Sequence, residues 1–329
     1  MHHIYFLRTH KTGSSTTGSI LLSYGVNRNR KIVMDPDLAD MDWPAPLELN
    51  QVSSLVKSDE AKIFASHIRF NKGPVNSIFP KPEAKYITIL RYPISQFKSA
   101  WLYYKISKLT DIPENTINTF LKSPDALQEI QKRLHKTKFP ERFFHFLNSN
   151  LYDLGLEQEN MQNMKLVKSY IDKIEREFDL VMITEYFDES LILLKRLLCW
   201  EFQDIVYFKL RSKKKEINFG KEVENNILTW NRADVILYDH FNKTFWRKVR
   251  AASSTFDEEL KMFRRINQEY RESCKSTKDQ KCQLSKKNPC GITEELWKKR
   301  GHKFTGRYCG PRAAEIAKWR RRLNSTSEI

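Results

Sequence analysis

The run Arg8-Thr9-His10-Lys11-Thr12-Gly13-Ser14-Ser15-Thr16 follows an apolar segment, Ile4 to Leu7, and leads into a stretch with helical spacing. A strand, a tight turn and a helix start in that order make an anion cradle. The first amides of a helix have no partner within it, its dipole favours negative charge, and Gly13 lets backbone approach a ligand closely. Ser14 and Ser15 suit the capping position, and Lys11 adds a mobile cation. A P-loop places a Gly four residues before Gly-Lys-Ser/Thr, whereas Lys11 precedes the only glycine of this turn, which excludes an ATPase or kinase of that kind. A second cluster follows the apolar run Lys85 to Leu90. Arg91 stands at that segment's carboxyl end, Pro93 suits the first position of a helix running to Tyr104, and Ser99 falls about two turns in. A permanently charged planar fork with a hydroxyl nearby suits a phosphate. A third candidate is His67, just past the apolar segment Lys62 to Ala65, where a histidine is the natural base at neutral pH.

The order Lys-Thr-Gly-Ser-Ser-Thr after a strand resembles the 5′-phosphosulfate loop of sulfotransferases, and Arg91 with Ser99 resembles their 3′-phosphate site. The resemblance narrows to the galactose 3-O-sulfotransferases through Phe6 to Gly25, Ser66-His67-Ile68-Arg69-Phe70, Ile87 to Trp101, Ile183-Thr184-Glu185-Tyr186-Phe187-Asp188-Glu189-Ser190 onward to Leu210, and Thr229-Trp230-Asn231 through Val249. Tyr92 stands where an Asp is common, Gly13 where an Ala is common, and Thr17-Gly18 replace apolar residues. The resemblance implies sulfonate transfer from 3′-phosphoadenosine 5′-phosphosulfate (PAPS), without a metal, to the 3-hydroxyl of a terminal β-galactose on a glycolipid or glycan. A heparan sulfate-type acceptor and a non-catalytic acidic-glycan module are the alternatives.

Carried onto this chain, the resemblance makes Lys11 and His67 catalytic. It makes His10, Lys11, Thr12, Gly13, Ser14, Ser15, Thr16, Arg91, Ser99 and Arg211 donor-binding. Arg69, Trp101, Tyr104 and Glu189 are expected on the acceptor side. Trp101 and Tyr104 serve equally well as core, Glu189 equally well as a complement to a helix dipole, and Arg211 to Lys215 equally well as a solvated charged run. His10 is the rival base.

The 329 residues, 40% of them hydrophobic, suffice for a sizeable core, and 57 Lys and Arg against 40 Asp and Glu leave +17, which implies anionic ligands. No zinc-finger spacing or RNA-binding signature accompanies the charge, so no nucleic-acid partner is expected. Family members are Golgi type II membrane proteins, so an amino-terminal anchor is expected ahead of this sequence and a Golgi-lumenal location for the rest. The sequons at Asn242 and Asn324 fit a secretory route. Cys199, within an apolar run, is expected to be a buried thiol, and Cys274, Cys282, Cys290 and Cys309 to form two disulfides.

Positioning these residues requires an α/β fold with a mostly parallel central sheet flanked by helices, the P-loop-kinase-like sulfotransferase arrangement. Strands are expected at His3 to Leu7, Lys62 to Ala65, Tyr86 to Leu90, Leu180 to Thr184 and Ile205 to Lys209. Helices are expected at Gln162 to Phe178 and Asp188 to Trp200, with one long helix from Asn242 to Arg271. The catalytic domain would span 1–273, with a helical insertion at about 113–152 carrying acceptor-side residues. A basic, disulfide-tied appendage would occupy 274–329.

Overall fold

The computed structural model describes residues 3–28, 30–33, 43–49, 62–207, 217–252 and 254–275. Five strands form one all-parallel sheet in the order β2-β3-β1-β4-β5: β1 His3–Leu7, β2 Lys31–Val33, β3 Lys62–Ser66, β4 Ala84–Leu90 and β5 Leu180–Ile183. Parallel strands are covered on both faces, so they read as continuous apolar runs, and Ile4 to Leu7 and Tyr86 to Leu90 are buried throughout. Register pairs Ile4 with Ile63 and with Lys85, which brings the carboxyl ends of β1, β3 and β4 together. Ligands bind at that edge in sheets of this kind.

The helices are α1 Ser14–Asn27, α2 Lys72–Ile78, α3 Pro93–Tyr103, α4 Ile106–Leu109, α5 Ile117–Lys122, α6 Ala126–His135, α7 Ser149–Asp153, α8 Met164–Glu177, α9 Phe187–Leu198, α10 Phe202–Ile205, α11 Lys221–Trp230, α12 Arg232–Ala251 and α13 Phe256–Lys275. Pro93 opens α3 as expected. No described helix is long and apolar enough to cross a membrane.

Two cores result. The larger joins the sheet to α8, α9, α12 and α13. The smaller is built by Ile94, Phe97 and Trp101 of α3 with Ile130, Leu134, Phe143 and Phe146 of the 113–152 segment and Val223 and Ile227 of α11. Helix α3 therefore stands between the sheet and the helical segment.

Three expectations are corrected. Ile205 ends a short helix instead of opening a strand, because Glu201 and Asp204 form a reciprocal capping box; Val206 and Tyr207 follow without strand pairing, and Phe208 and Lys209 lie outside the described residues. The long helix is two, α12 and α13, and Arg196 of α9 braces the corner through the Ala252 carbonyl, the Thr255 hydroxyl at 2.9 Å and Glu259 at 2.8 Å. Cys199 is exposed: it leaves α9 in the left-handed region at φ 53°, and Trp200 N–H returns to the Lys195 carbonyl at 2.8 Å. The short edge strand β2 was not anticipated, since three residues carry no periodicity. Cys274, Cys282, Cys290 and Cys309 and the whole appendage lie outside the residues whose side chains are described, as does the sequon at Asn324.

Candidate active site

The turn between β1 and α1 is built by its own hydroxyls. Ser14 Oγ donates to the Thr9 carbonyl at 2.7 Å, Thr12 Oγ1 to the same carbonyl at 3.1 Å, and Thr184 of the segment after β5 holds the Thr12 carbonyl. Ser15 Oγ accepts from Arg8 Nη2 at 3.1 Å. Thr12, Ser14 and Ser15 thus shape the loop. The first intrahelical returns are Thr16 N–H and Thr17 N–H to the Gly13 carbonyl, so the amides of Ser14 and Ser15 precede the helix's own ladder. Two residues make the turn sharp: Lys11 at φ 62° and Gly13 at φ 79°.

Lys11 is half-buried, with Nζ 3.4 Å from the centre of the Tyr103 ring. Its carbonyl accepts from Arg91 Nη1 at 3.1 Å, which fixes the guanidinium at the end of β4 against the loop. Arg91 Nε is buried without a hydrogen-bond partner. Burial lowers the Arg91 pKa, with Glu185 opposing the shift. Ser99, partly exposed, lies on α3.

His10 is buried, and its N–H donates to Asp153 Oδ2 at 2.7 Å while Nδ1 lies 3.0 Å from both carboxylate oxygens. Trp43 Nε1 donates to the same carboxylate at 3.0 Å. His67, half-exposed at the end of β3, stacks on His10 with centroids 4.3 Å apart, and its Nδ1 donates to the Arg8 carbonyl at 2.8 Å. That bond leaves Nε2 as the lone-pair nitrogen of the neutral ring. His145, also buried, lies between Trp43 at 4.1 Å and Tyr104 at 4.0 Å, both within 8° of parallel. Burial, then His10, Arg142 and Lys11, hold its pKa well below the usual histidine value. Gln96 Nε2 ties the loop to the helical segment, donating to the carbonyls of His10 at 3.3 Å and His145 at 2.7 Å.

The four expected acceptor residues have these surroundings. Trp101 is buried in the second core, stacked on Phe97, with Nε1 donating to Ser107 Oγ at 2.8 Å, so it offers a sugar no face. Arg69 is buried and committed to the carbonyls of Tyr152 and Pro44 and to Glu157 at 2.9 Å. Glu189 pairs with Arg264 of α13 at 2.8 Å. Tyr104 does reach the site, stacked on His145 with the Arg142 guanidinium 4.6 Å from its ring centre. Arg211 lies outside the described residues. Asp153, Trp43, His145 and Gln96 were not singled out from sequence. Glu185, whose carboxylate accepts from Tyr92 N–H at 3.1 Å and Tyr238 Oη at 3.2 Å, was read only as part of the resemblance and given no role at the site.

The only cluster of metal-ligand type among the described residues is Asp172, Glu175 and His240, between α8 and α12; Arg247 already lies 3.3 Å from Glu175 there.

An all-parallel sheet, with a turn of hydroxyl residues at the end of its central strand and a guanidinium from the neighbouring strand bonded to that turn, defines an α/β protein with an anion-type cradle at the carboxyl edge of its sheet. More narrowly, the chain belongs to the galactose-3-O-sulfotransferase family, whose profile matches residues 1–288. It is 34% identical over 283 residues to a galactosylceramide sulfotransferase of Bos taurus, covering 82% of this chain and 63% of that protein. A galactose-3-O-sulfotransferase 3 of Mus musculus is 31% identical over 280 residues, with 82% and 63% covered. The Homo sapiens galactosylceramide sulfotransferase is 34% identical over 277 residues, with 83% and 64% covered. The chain therefore spans somewhat less than two thirds of the length of these relatives.

Proposed function

We propose that this chain transfers a sulfonate from PAPS to the 3-hydroxyl of a terminal β-galactose. The observation that carries the reading is the joined anion site: the Lys11 to Thr16 turn, the free-running start of α1, and Arg91 bonded to the Lys11 carbonyl at the end of β4. The residues fit a nucleotide with two separated anionic groups. The loop amides and Lys11 would hold the phosphosulfate, and the buried, unpartnered Arg91 Nε with Ser99 would hold the 3′-phosphate. PAPS supplies an activated sulfonate with a phosphate leaving group. Lys11 is placed to stabilise the charge that grows on the bridging oxygen, so positioning and electrostatics supply most of the rate. The half-exposed His67, its tautomer set by the Arg8 carbonyl, takes the acceptor proton on Nε2. His10 is locked to Asp153 one ring deeper and positions the turn.

The expected setting is the Golgi lumen, with an anchor preceding this sequence, a galactose-terminated glycolipid or glycan as acceptor and no required metal. Labelled PAPS offered with galactosylceramide, lactosamine and a mucin core should yield label removable as 3-O-sulfated galactose. Labelling of a heparan precursor with none of the galactosides would refute the reading.

A further inference from the structure

Two buried imidazole nitrogens in the site lack partners, and their hydrogen-bonding roles are opposite. His10 Nδ1 faces the Asp153 carboxylate, so it carries the hydrogen and Nε2 is left as an acceptor. His145 Nε2 lies 3.1 Å from Arg142 Nη1, and a guanidinium only donates, so Nε2 is the acceptor and Nδ1 carries the hydrogen. His10 is 3% exposed and His145 1%, and neither His10 Nε2 nor His145 Nδ1 makes a hydrogen bond. The two ring centres are 4.4 Å apart. A buried polar group without a partner is costly, and two in one place call for a group that satisfies both. Carboxylates and phosphates only accept, and ammonium groups only donate. A hydroxyl does both.

We propose that His10 Nε2 and the His145 Nδ1–H together hold one hydroxyl of the acceptor sugar, vicinal to the hydroxyl that reacts. The inference rests on the galactoside reading above. His10 lies between His67 at 4.3 Å and His145 at 4.4 Å, so a sugar that presents one hydroxyl to His67 brings its neighbour to the deeper pair. The depressed pKa of His145 keeps the ring neutral, which preserves the complementary tautomer. The Trp43 and Tyr104 rings on its two faces fix its plane, and Arg142 and Gln96 fix the segment that carries it. A trapped water has the same chemistry, and deoxy sugars tell the two apart.

The test compares a terminal β-galactoside with its 2-deoxy and 4-deoxy analogues on the wild type and on His145→Phe, which keeps a flat ring between Trp43 and Tyr104 but cannot donate. In the wild type, one deoxy analogue should lose roughly 10- to 100-fold in kcat/KM, because the pair is then left unsatisfied. His145→Phe should lose activity on the parent sugar, and its further loss on that analogue should be smaller than the wild type's, because only His10 Nε2 still takes the hydroxyl. Binding of the desulfonated nucleotide to the variant reports whether it is folded. If it is not, His145→Asn, which restores a side-chain donor, replaces it and should keep the discrimination. Equal use of both deoxy analogues by the wild type identifies a water and overturns the proposal, as does undiminished discrimination by His145→Phe or its loss in His145→Asn. A wild type that labels no galactoside overturns the functional reading and this inference with it, whereas normal transfer with any of those overturning outcomes sinks this inference alone.

Discussion

Replacing Arg91 with alanine separates the two things this guanidinium does. Nη1 holds the Lys11 carbonyl at 3.1 Å, and Nε is buried with no partner in the protein. The first contact acts on the loop and weakens any nucleotide that uses the loop. The second, on the proposed reading, serves the 3′-phosphate alone. A hydrogen bond to a charged group contributes about 1.5–3 kcal/mol, which is roughly 10- to 150-fold in Kd. Titration calorimetry with 3′-phosphoadenosine 5′-phosphate and with adenosine 5′-phosphosulfate, each on wild type and Arg91→Ala, isolates the phosphate contribution as a difference of differences. The 3′-phosphorylated ligand should lose that factor beyond whatever the other loses. Arg91→Lys should recover part of the charge but not the fork, and so fall between. If the variant prefers the 3′-phosphorylated nucleotide by the same factor as the wild type, Arg91 does not hold that phosphate and the donor site has been placed wrongly.

Four further outcomes are expected. His67→Ala should lower turnover by roughly 10²- to 10⁴-fold with nucleotide affinity nearly intact, and near-normal turnover there with none in His10→Ala would move the base to His10. Asp153→Ala removes the acceptor of His10 N–H, His10 Nδ1 and Trp43 Nε1, so a loss of several kcal/mol, at about 1–3 kcal/mol per stranded donor, should appear in denaturant unfolding; a loss under about 1 kcal/mol would contradict the hub. Burial raises the Asp234 carboxyl to about 6, against an ordinary 3.8, while the amides of Asn150 and Leu151 oppose the shift. Its folded pKa lies above its unfolded one, so the unfolded chain releases the proton first and stability should fall as pH rises from about 4 to about 6, by up to roughly 3 kcal/mol; thermal melts of wild type and Asp234→Asn over that range should diverge, and parallel curves would refute the assignment. Cys199, exposed at the end of α9, should alkylate in the folded protein, and protection until unfolding would contradict its position.

The sheet was legible because parallel strands buried on both faces read as unbroken apolar runs, and β1, β3, β4 and β5 all do. Ile205-Val206-Tyr207 reads the same way but is buried by helix packing, with a capping box that periodicity does not reveal. The loop was legible because its residues are contiguous. The rest of the site was not, for a physical reason: Trp43, His145 and Asp153 sit on separate segments and act only where the fold brings them to His10. Trp101 and Tyr104 are three residues apart on and just after one helix, yet one faces the second core and the other the histidines. Nothing in the local spacing separates them. Arg69 carries a charge that the resemblance places on the acceptor side, whereas in the fold it meets Tyr152, Pro44 and Glu157.

The Asp153 hub also bears on how the chain acquires its site. His10 and Asp153 are 143 positions apart in sequence, and Gln96 must bridge the same two regions before the turn is held from both sides. During synthesis β1 and its loop leave the ribosome early, but the carboxylate that orients His10 arrives only with the end of the helical segment. Closing so long a loop delays the contact even when every local preference is satisfied. The amino-terminal portion can therefore form strand and helix without forming a competent anion site. On the proposed reading, nucleotide binding at the turn has to follow closure of this contact.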